Sequence, residues 1–162
     1  MAAGCKAQHP AEVGREAARV ARALGRPAGG LIFLGGSLAA QLPAVASAVA
    51  AACPGLPLLV ASGAWVFSPT GELEDQSAAA LLMWSGPPPI VTAIDEADPA
   101  RIGAALARAL AASGASTHFL ALEPERFDPE LLAPLGALPR AAQLFGFGTT
   151  GSPGAVGVLG DG

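Results

Sequence analysis

The sequence predicts an α/β protein of two similar helix-strand-helix-strand-strand units, an internal pseudo-duplication, with mixed sheets covered by helices. Three observations predict it. Short continuous apolar runs such as Leu31-Ile32-Phe33-Leu34 are the signature of strands covered on both faces. These runs alternate with segments whose apolar residues recur at helical spacing, the pattern of strand-helix-strand units with right-handed parallel crossovers. The order of elements then repeats on either side of Ser85-Gly86-Pro87-Pro88-Pro89, which divides the chain into halves 1–86 and 87–162.

In the first half, residues 11–24 read as a helix with Val13, Ala17, Val20 and Leu24 on one face and charged residues around the rest. Gly25, Pro27 and Gly29-Gly30 end it. The strand 31–34 follows, then the turn Gly35-Gly36-Ser37, a helix over 38–53, and a second strand over 57–62. Phe67-Ser68-Pro69-Thr70-Gly71 is a turn, and an acidic patch of Glu72, Glu74 and Asp75 leads to a third strand, 79–84. In the second half a strand is expected over 90–94, then a helix over 98–112 opened by Asp98-Pro99. Asp at the N-cap accepts a bond from an orphan N–H, and Pro at the next position has no N–H to strand. A strand over 117–122 follows, a helix opened by Asp128-Pro129-Glu130, and strands over 142–147 and 155–159.

Composition agrees with a folded chain. At 162 residues it can bury a core without disulfide or metal support. Hydrophobic residues at 52% against 14% charged exclude a solvated disordered tail, and the 5% aromatic content implies cores of Ala, Leu and Val. A net charge of −4 argues against a nucleic-acid partner or an anionic membrane surface.

Cys5 and Cys53 have no CxxC spacing, and His9 and His118 each stand alone, so neither a disulfide framework nor a metal site is expected, and no cofactor. The opening Met1-Ala2-Ala3-Gly4-Cys5-Lys6 has no apolar core of a signal peptide, which points to a reducing cytoplasm. No charged residue lies between Arg26 and Glu72, and 31–53 could pass a hydropathy filter for a membrane span. Gly35-Gly36-Ser37 and Pro43 interrupt it, and its apolarity rests largely on Ala, so strand, turn and helix is the reading taken and no membrane partner is expected.

Candidate chemistry is sparse. Gly146-Phe147-Gly148-Thr149-Thr150-Gly151 matches GxGxxG after a strand, yet Ser152-Pro153-Gly154 and another strand-like run follow instead of a helix. A dinucleotide site needs that helix N-terminus, so a glycine-rich hairpin turn is expected. Gly35-Gly36-Ser37 does lie between strand and helix, where free N–H groups favour an anion, against the plainer reading of a tight turn with Ser37 as N-cap. In a parallel unit the ends of 31–34 and 57–62 share an edge, so Ser37 and the Ser62-Gly63-Ala64 turn could face one crevice. The candidate ligand-binding residues are therefore Ser37, Ser62, Gly63, Gly146, Gly148 and Thr149. Glu123 at a strand end has no partner in sequence, Ser62 lacks a nucleophile elbow, and Cys53 lacks cationic neighbours, so no catalytic set is expected. His118 and Trp84 read as structural, and Trp65 as core or pocket wall beside the Ser62 turn. The helix 38–53 carries only Ala, Ser and Gln where an exposed helix normally carries charge, and its outer side is expected to meet another layer, a protein partner or a second copy.

Three stretches resemble the FIST domain, specifically its N-terminal portion. They are Leu31-Ile32-Phe33-Leu34 with its helix and Leu58-Leu59-Val60-Ala61-Ser62-Gly63; Glu72-Leu73-Glu74 into Ala80-Leu81-Leu82-Met83; and Phe119-Leu120-Ala121-Leu122-Glu123-Pro124 with Phe127-Asp128-Pro129, then Leu144-Phe145-Gly146-Phe147-Gly148. The family usually has Gly where this chain has Ala61, and usually continues beyond a point like Asp161-Gly162, so a fragment or a short stand-alone member is expected. The resemblance implies a non-catalytic sensory module of signal transduction with a small ligand such as an amino acid, and it transfers no catalytic residues. The alternative is a protein-interaction or assembly module using the uncharged 27–71 surface without a metabolite.

Overall fold

The computed structural model describes residues 1–63, 66–68, 71–73, 76–94, 96, 98–123, 128–137, 143–150 and 154–158. The chain is a mixed α/β protein forming two compact units, Met1–Val91 with Thr149–Gly162, and Thr92–Gly148.

The first unit is built on a five-stranded mixed sheet. Its strands are β1 (Ala2–Lys6), β2 (Gly29–Gly35), β3 (Leu58–Ser62), β6 (Ala78–Trp84) and β9 (Ala155–Val158), in the order β1-β6-β2-β3-β9. The short strands β4 (Val66–Ser68) and β5 (Gly71–Leu73) pair antiparallel with each other. β2 runs parallel to β3 and antiparallel to β6, and β6 in turn antiparallel to β1, so β1, β2 and β3 point the same way. Each successive crossover moves in one direction along the sheet. Right-handed connections then place α1 (Pro10–Leu24) and α2 (Leu42–Ala52) on the same face, where they pack together.

The amphipathic pattern decides which way each helix turns. Val13, Ala17 and Val20 of α1 are fully buried, with Leu42, Val45 and Val49 of α2, against Ile32, Leu34, Leu58, Val60, Leu81 and Met83 of the sheet. Burying a Val or Leu side chain of this kind contributes roughly 1.5–3 kcal/mol. α1 starts as its sequence directs: the Glu12 carboxylate accepts the amides of Gln8 and His9 at 2.7 and 3.1 Å. Where α1 crosses α2, a Cβ on Gly14 would stand 2.8 Å from the Ala48 carbonyl oxygen, so only glycine permits the approach.

The second unit holds α3 (Pro99–Ser113), β7 (Thr117–Leu122), a 3-10 run (Pro129–Ala137) and β8 (Gln143–Gly148). Asp98 caps α3, accepting the Arg101 amide at 3.1 Å, as the Asp-Pro pair predicted. β7 and β8 are parallel in register, Leu120 beside Gly146 and Leu122 beside Gly148. One face of this pair packs Leu120 and Leu122 on a small core of Ile102, Leu106 and Leu131. The opposite face carries Phe119 and Phe145, stacked at 5.7 Å between ring centroids and 44% and 52% exposed.

Several expectations give way. The internal duplication is not confirmed: the C-terminal strand β9, assigned to the second half, pairs antiparallel with β3 of the first unit. Gly146 and Gly148 lie within β8, which pairs with β7, so they do not form the hairpin turn expected between β8 and β9. Residues 90–94 form no strand; the prolines before them carry no N–H to begin a ladder, and Ile90 is 70% exposed. β1 was missed because Ala2, Ala3 and Gly4 carry no strand signal, and only pairing with the edge of β6 extends them. The helix expected after Asp128 is a 3-10 run; Pro134 lies within it, and in an α-helix its ring would clash with the carbonyl four residues back. The helix expected over 38–53 is a 3-10 run, Gly36–Gln41, followed by α2.

Two predictions follow from α1. Gly14→Ala raises helix propensity by about 1 kcal/mol, yet overpacking against the Ala48 carbonyl costs about 1–3 kcal/mol. Urea unfolding is expected to show a net loss of stability. The Glu12 carboxyl is held below its ordinary pKa of 4.5 by the Gln8 and His9 amides. Its stabilisation is present above that value and is lost as pH falls through the depressed one. Glu12→Gln should lower the urea midpoint at pH 7 and flatten its decline toward acid.

Candidate functional site

The sequence singles out the edge where β2 and β3 end, and the parallel pairing does bring both carboxyl ends to one edge. The residues there are engaged with the protein itself. Gly36 has φ +62, and a Cβ on it would stand 2.6 Å from the Gln76 carbonyl oxygen, so the turn lies against the segment entering β6. The Ser37 amide donates to Ser77 Oγ at 3.1 Å, and the two hydroxyls lie 2.5 Å apart. Ser37 is thus exposed and tied to Ser77. It is the second residue of the 3-10 run Gly36–Gln41, not the N-cap of α2, which is Gln41.

Ser62 is 1% exposed. Its hydroxyl is bonded to the Thr150 carbonyl and lies 3.0 Å from that of Gly154. Its amide donates to the Gly154 carbonyl at 2.9 Å, and its carbonyl accepts the Thr150 amide at 3.1 Å. The Gly63 amide donates to the Leu34 carbonyl at 2.9 Å. Thr149 beside them is buried. Ser62 therefore clamps the chain entering β9 onto the end of β3.

Gly146 and Gly148 lie elsewhere, in β8 of the second unit. There Leu120, Leu122, Leu132, Leu144, Gly146, Phe147 and Gly148 line an open cavity of about 510 Å³. The two glycines make it. They stand beside Leu120 and Leu122 in register, and among the described residues a Cβ on Gly146 would meet only the Leu120 carbonyl oxygen, at 3.8 Å. Leu132 and Leu144, 40% and 37% exposed, stand where the hollow opens to solvent. The wall was not foreseen. Its signal was the alternation of glycines in β8 against leucines in β7; the sequence singled out Gly146 and Gly148, but the run 146–151 reads there as a hairpin turn.

The remaining candidates are dispersed. His9 precedes α1 and is exposed, while His118 is buried in β7. Glu123 follows β7, Glu72 lies in β5, and Trp84 ends β6 half-buried. Trp65, Glu74, Asp75 and Gly151 lie outside the described residues. Burial pushes the Cys5 thiol up, with Glu16 adding to the effect, and burial does the same to Cys53. Neither is the activated thiolate that a nucleophile requires. Among the described residues no group of three or more His, Cys, Asp or Glu could hold a metal, and no helix is long and apolar enough to cross a membrane.

Fold and cavity together define a mixed α/β domain with an apolar hollow on a parallel strand pair. The chain belongs to the FIST family: the FIST N domain model matches residues 30–159, most of its length. That is a family of sensory domains in signal transduction. No curated protein and no solved structure matches it.

The clamp gives a prediction that separates architecture from binding. Ser62→Ala leaves the Thr150 carbonyl short of a donor, while the Gly154 carbonyl keeps the residue-62 amide, and should cost about 1–3 kcal/mol. Hydrogen exchange should show β9 loosened first. If Ser62 instead contacted a ligand, the variant would keep its stability and lose affinity.

Proposed function

We propose that this chain is a cytoplasmic, non-catalytic sensory module that binds a small ligand such as an amino acid. The observation carrying this reading is the cavity of about 510 Å³ on the β7–β8 pair, within the roughly 300–1,000 Å³ typical of ligand pockets. Family membership supplies the sensory role. The geometry suits reversible binding, because the described lining residues offer hydrocarbon and bare backbone and include no acid–base pair. A sensor needs no more than a difference in affinity between two states of its host protein.

Thermal-shift measurements against the amino acids and small organic acids test the proposal. A ligand at 100 times its Kd should add about 2.7 kcal/mol of stability, a shift of several degrees. Folded protein that no compound in the set stabilises would contradict it.

A second reading, a protein-interaction or assembly module, rests on α2. Leu42, Val45, Ala46 and Val49 face the core, leaving Pro43, Ala44, Ser47 and Ala51 as an exposed, uncharged strip. Ser47→Arg is the suitable probe, whereas Ala46 is 5% exposed and its replacement would disturb the core. Assembly through this strip predicts an oligomer by light scattering that Ser47→Arg dissociates.

A further inference from the structure

We infer that the β7–β8 cavity selects its ligand by one uncharged hydrocarbon group, branched aliphatic or aromatic, and that Gly146 is the residue which leaves room for it. This rests on the sensory reading above and specifies its site.

The argument begins with what the walls can satisfy. Leu120, Leu122, Leu132 and Leu144 are wholly aliphatic, Phe147 adds an aromatic residue, and Gly146 and Gly148 contribute backbone alone. Among the described lining residues none carries a charge, so a charged group entering there loses its hydration without a paired partner from them, a cost of several kcal/mol, whereas a hydrocarbon group gains by leaving water. Leu132 and Leu144 are partly exposed, so a polar head on the ligand can remain in solvent while its apolar part is seated.

Gly146 supplies the room. Glycine inside a strand weakens it, and it often marks a place where a ligand approaches the backbone. Here the weakness is not explained by crowding. Among the described residues a Cβ at Gly146 meets nothing closer than 3.8 Å, so they leave room for a side chain at this position. In register, that side chain would stand beside Leu120 on the cavity face. Glycine keeps open a space that a leucine would fill.

The test uses calorimetry with indole and L-leucine as apolar probes and L-aspartate and L-lysine as charged ones, on wild-type chain, Gly146→Leu and Leu132→Glu. Gly146→Leu should raise the melting temperature and weaken indole and L-leucine binding at least tenfold. A misfolded variant cannot mimic that pairing of gained stability with lost affinity. Leu132→Glu, at a partly exposed position, should keep the fold and also weaken both apolar probes tenfold or more. The inference is overturned if indole and L-leucine bind Gly146→Leu as they bind wild type, or if neither binds wild type. Charged probes that bind wild type and Gly146→Leu alike would overturn it too, yet leave the sensory reading standing. Failure of both this set and the wider amino-acid screen would remove the two together.

Discussion

The strand β2 is hydrogen-bonded along both edges, to β3 on one side and β6 on the other, and its Ile32 and Leu34 are fully buried. Charge at those positions would have no partner and no water, so the run Leu31-Ile32-Phe33-Leu34 admits only apolar residues. From this central strand the rest of the first unit follows. β1 and β3 run parallel to it on either side, and both crossover helices fall on one face. Packing accounts for the absence of charge between Arg26 and Glu72 where the segment is buried, whereas Pro43, Ala44, Ser47 and Ala51 are exposed and still uncharged. Part of α2 faces the sheet, and Ala48 and Ala52 meet α1 at Gly14.

The two units divide the labour differently. The first is closed: its core draws on both helices and the sheet strands, and the polar groups at the β2–β3 edge are bonded within the chain. Ser62 in particular spends its hydroxyl, amide and carbonyl on the segment that leads into β9. The second has a smaller core, centred on Ile102, Leu106 and Leu131, and keeps a hollow beside it. Binding in such a hollow needs no catalytic set, and an apolar guest would add to the second unit the burial that its own side chains leave unmade.

Much of the fold was legible. The strands β2, β3, β6, β7 and β9 and the helices α1 and α3 were readable within a residue or two, because each carries a strong period or an Asp-Pro cap. The FIST resemblance was readable from the succession of its apolar phrases, and the family match over 30–159 agrees with it. What escaped was decided at a distance. β1 exists only through its neighbour, and β9 crosses to the first unit because β3 offers a free edge, a choice no local pattern encodes. Ser62 and Gly146 were both singled out, one for a hydroxyl and one for a motif. The structure gives the first an internal partner and the second an open space.

The most direct measurement is a methyl NMR titration of chain labelled at its leucine methyl groups, with indole added stepwise. The account predicts shifts at Leu120, Leu122, Leu132 and Leu144, and none at Leu34, Leu38, Leu42 or Leu58, which are buried in the first unit. Shifts confined to the first unit, or none at saturating indole, would contradict it.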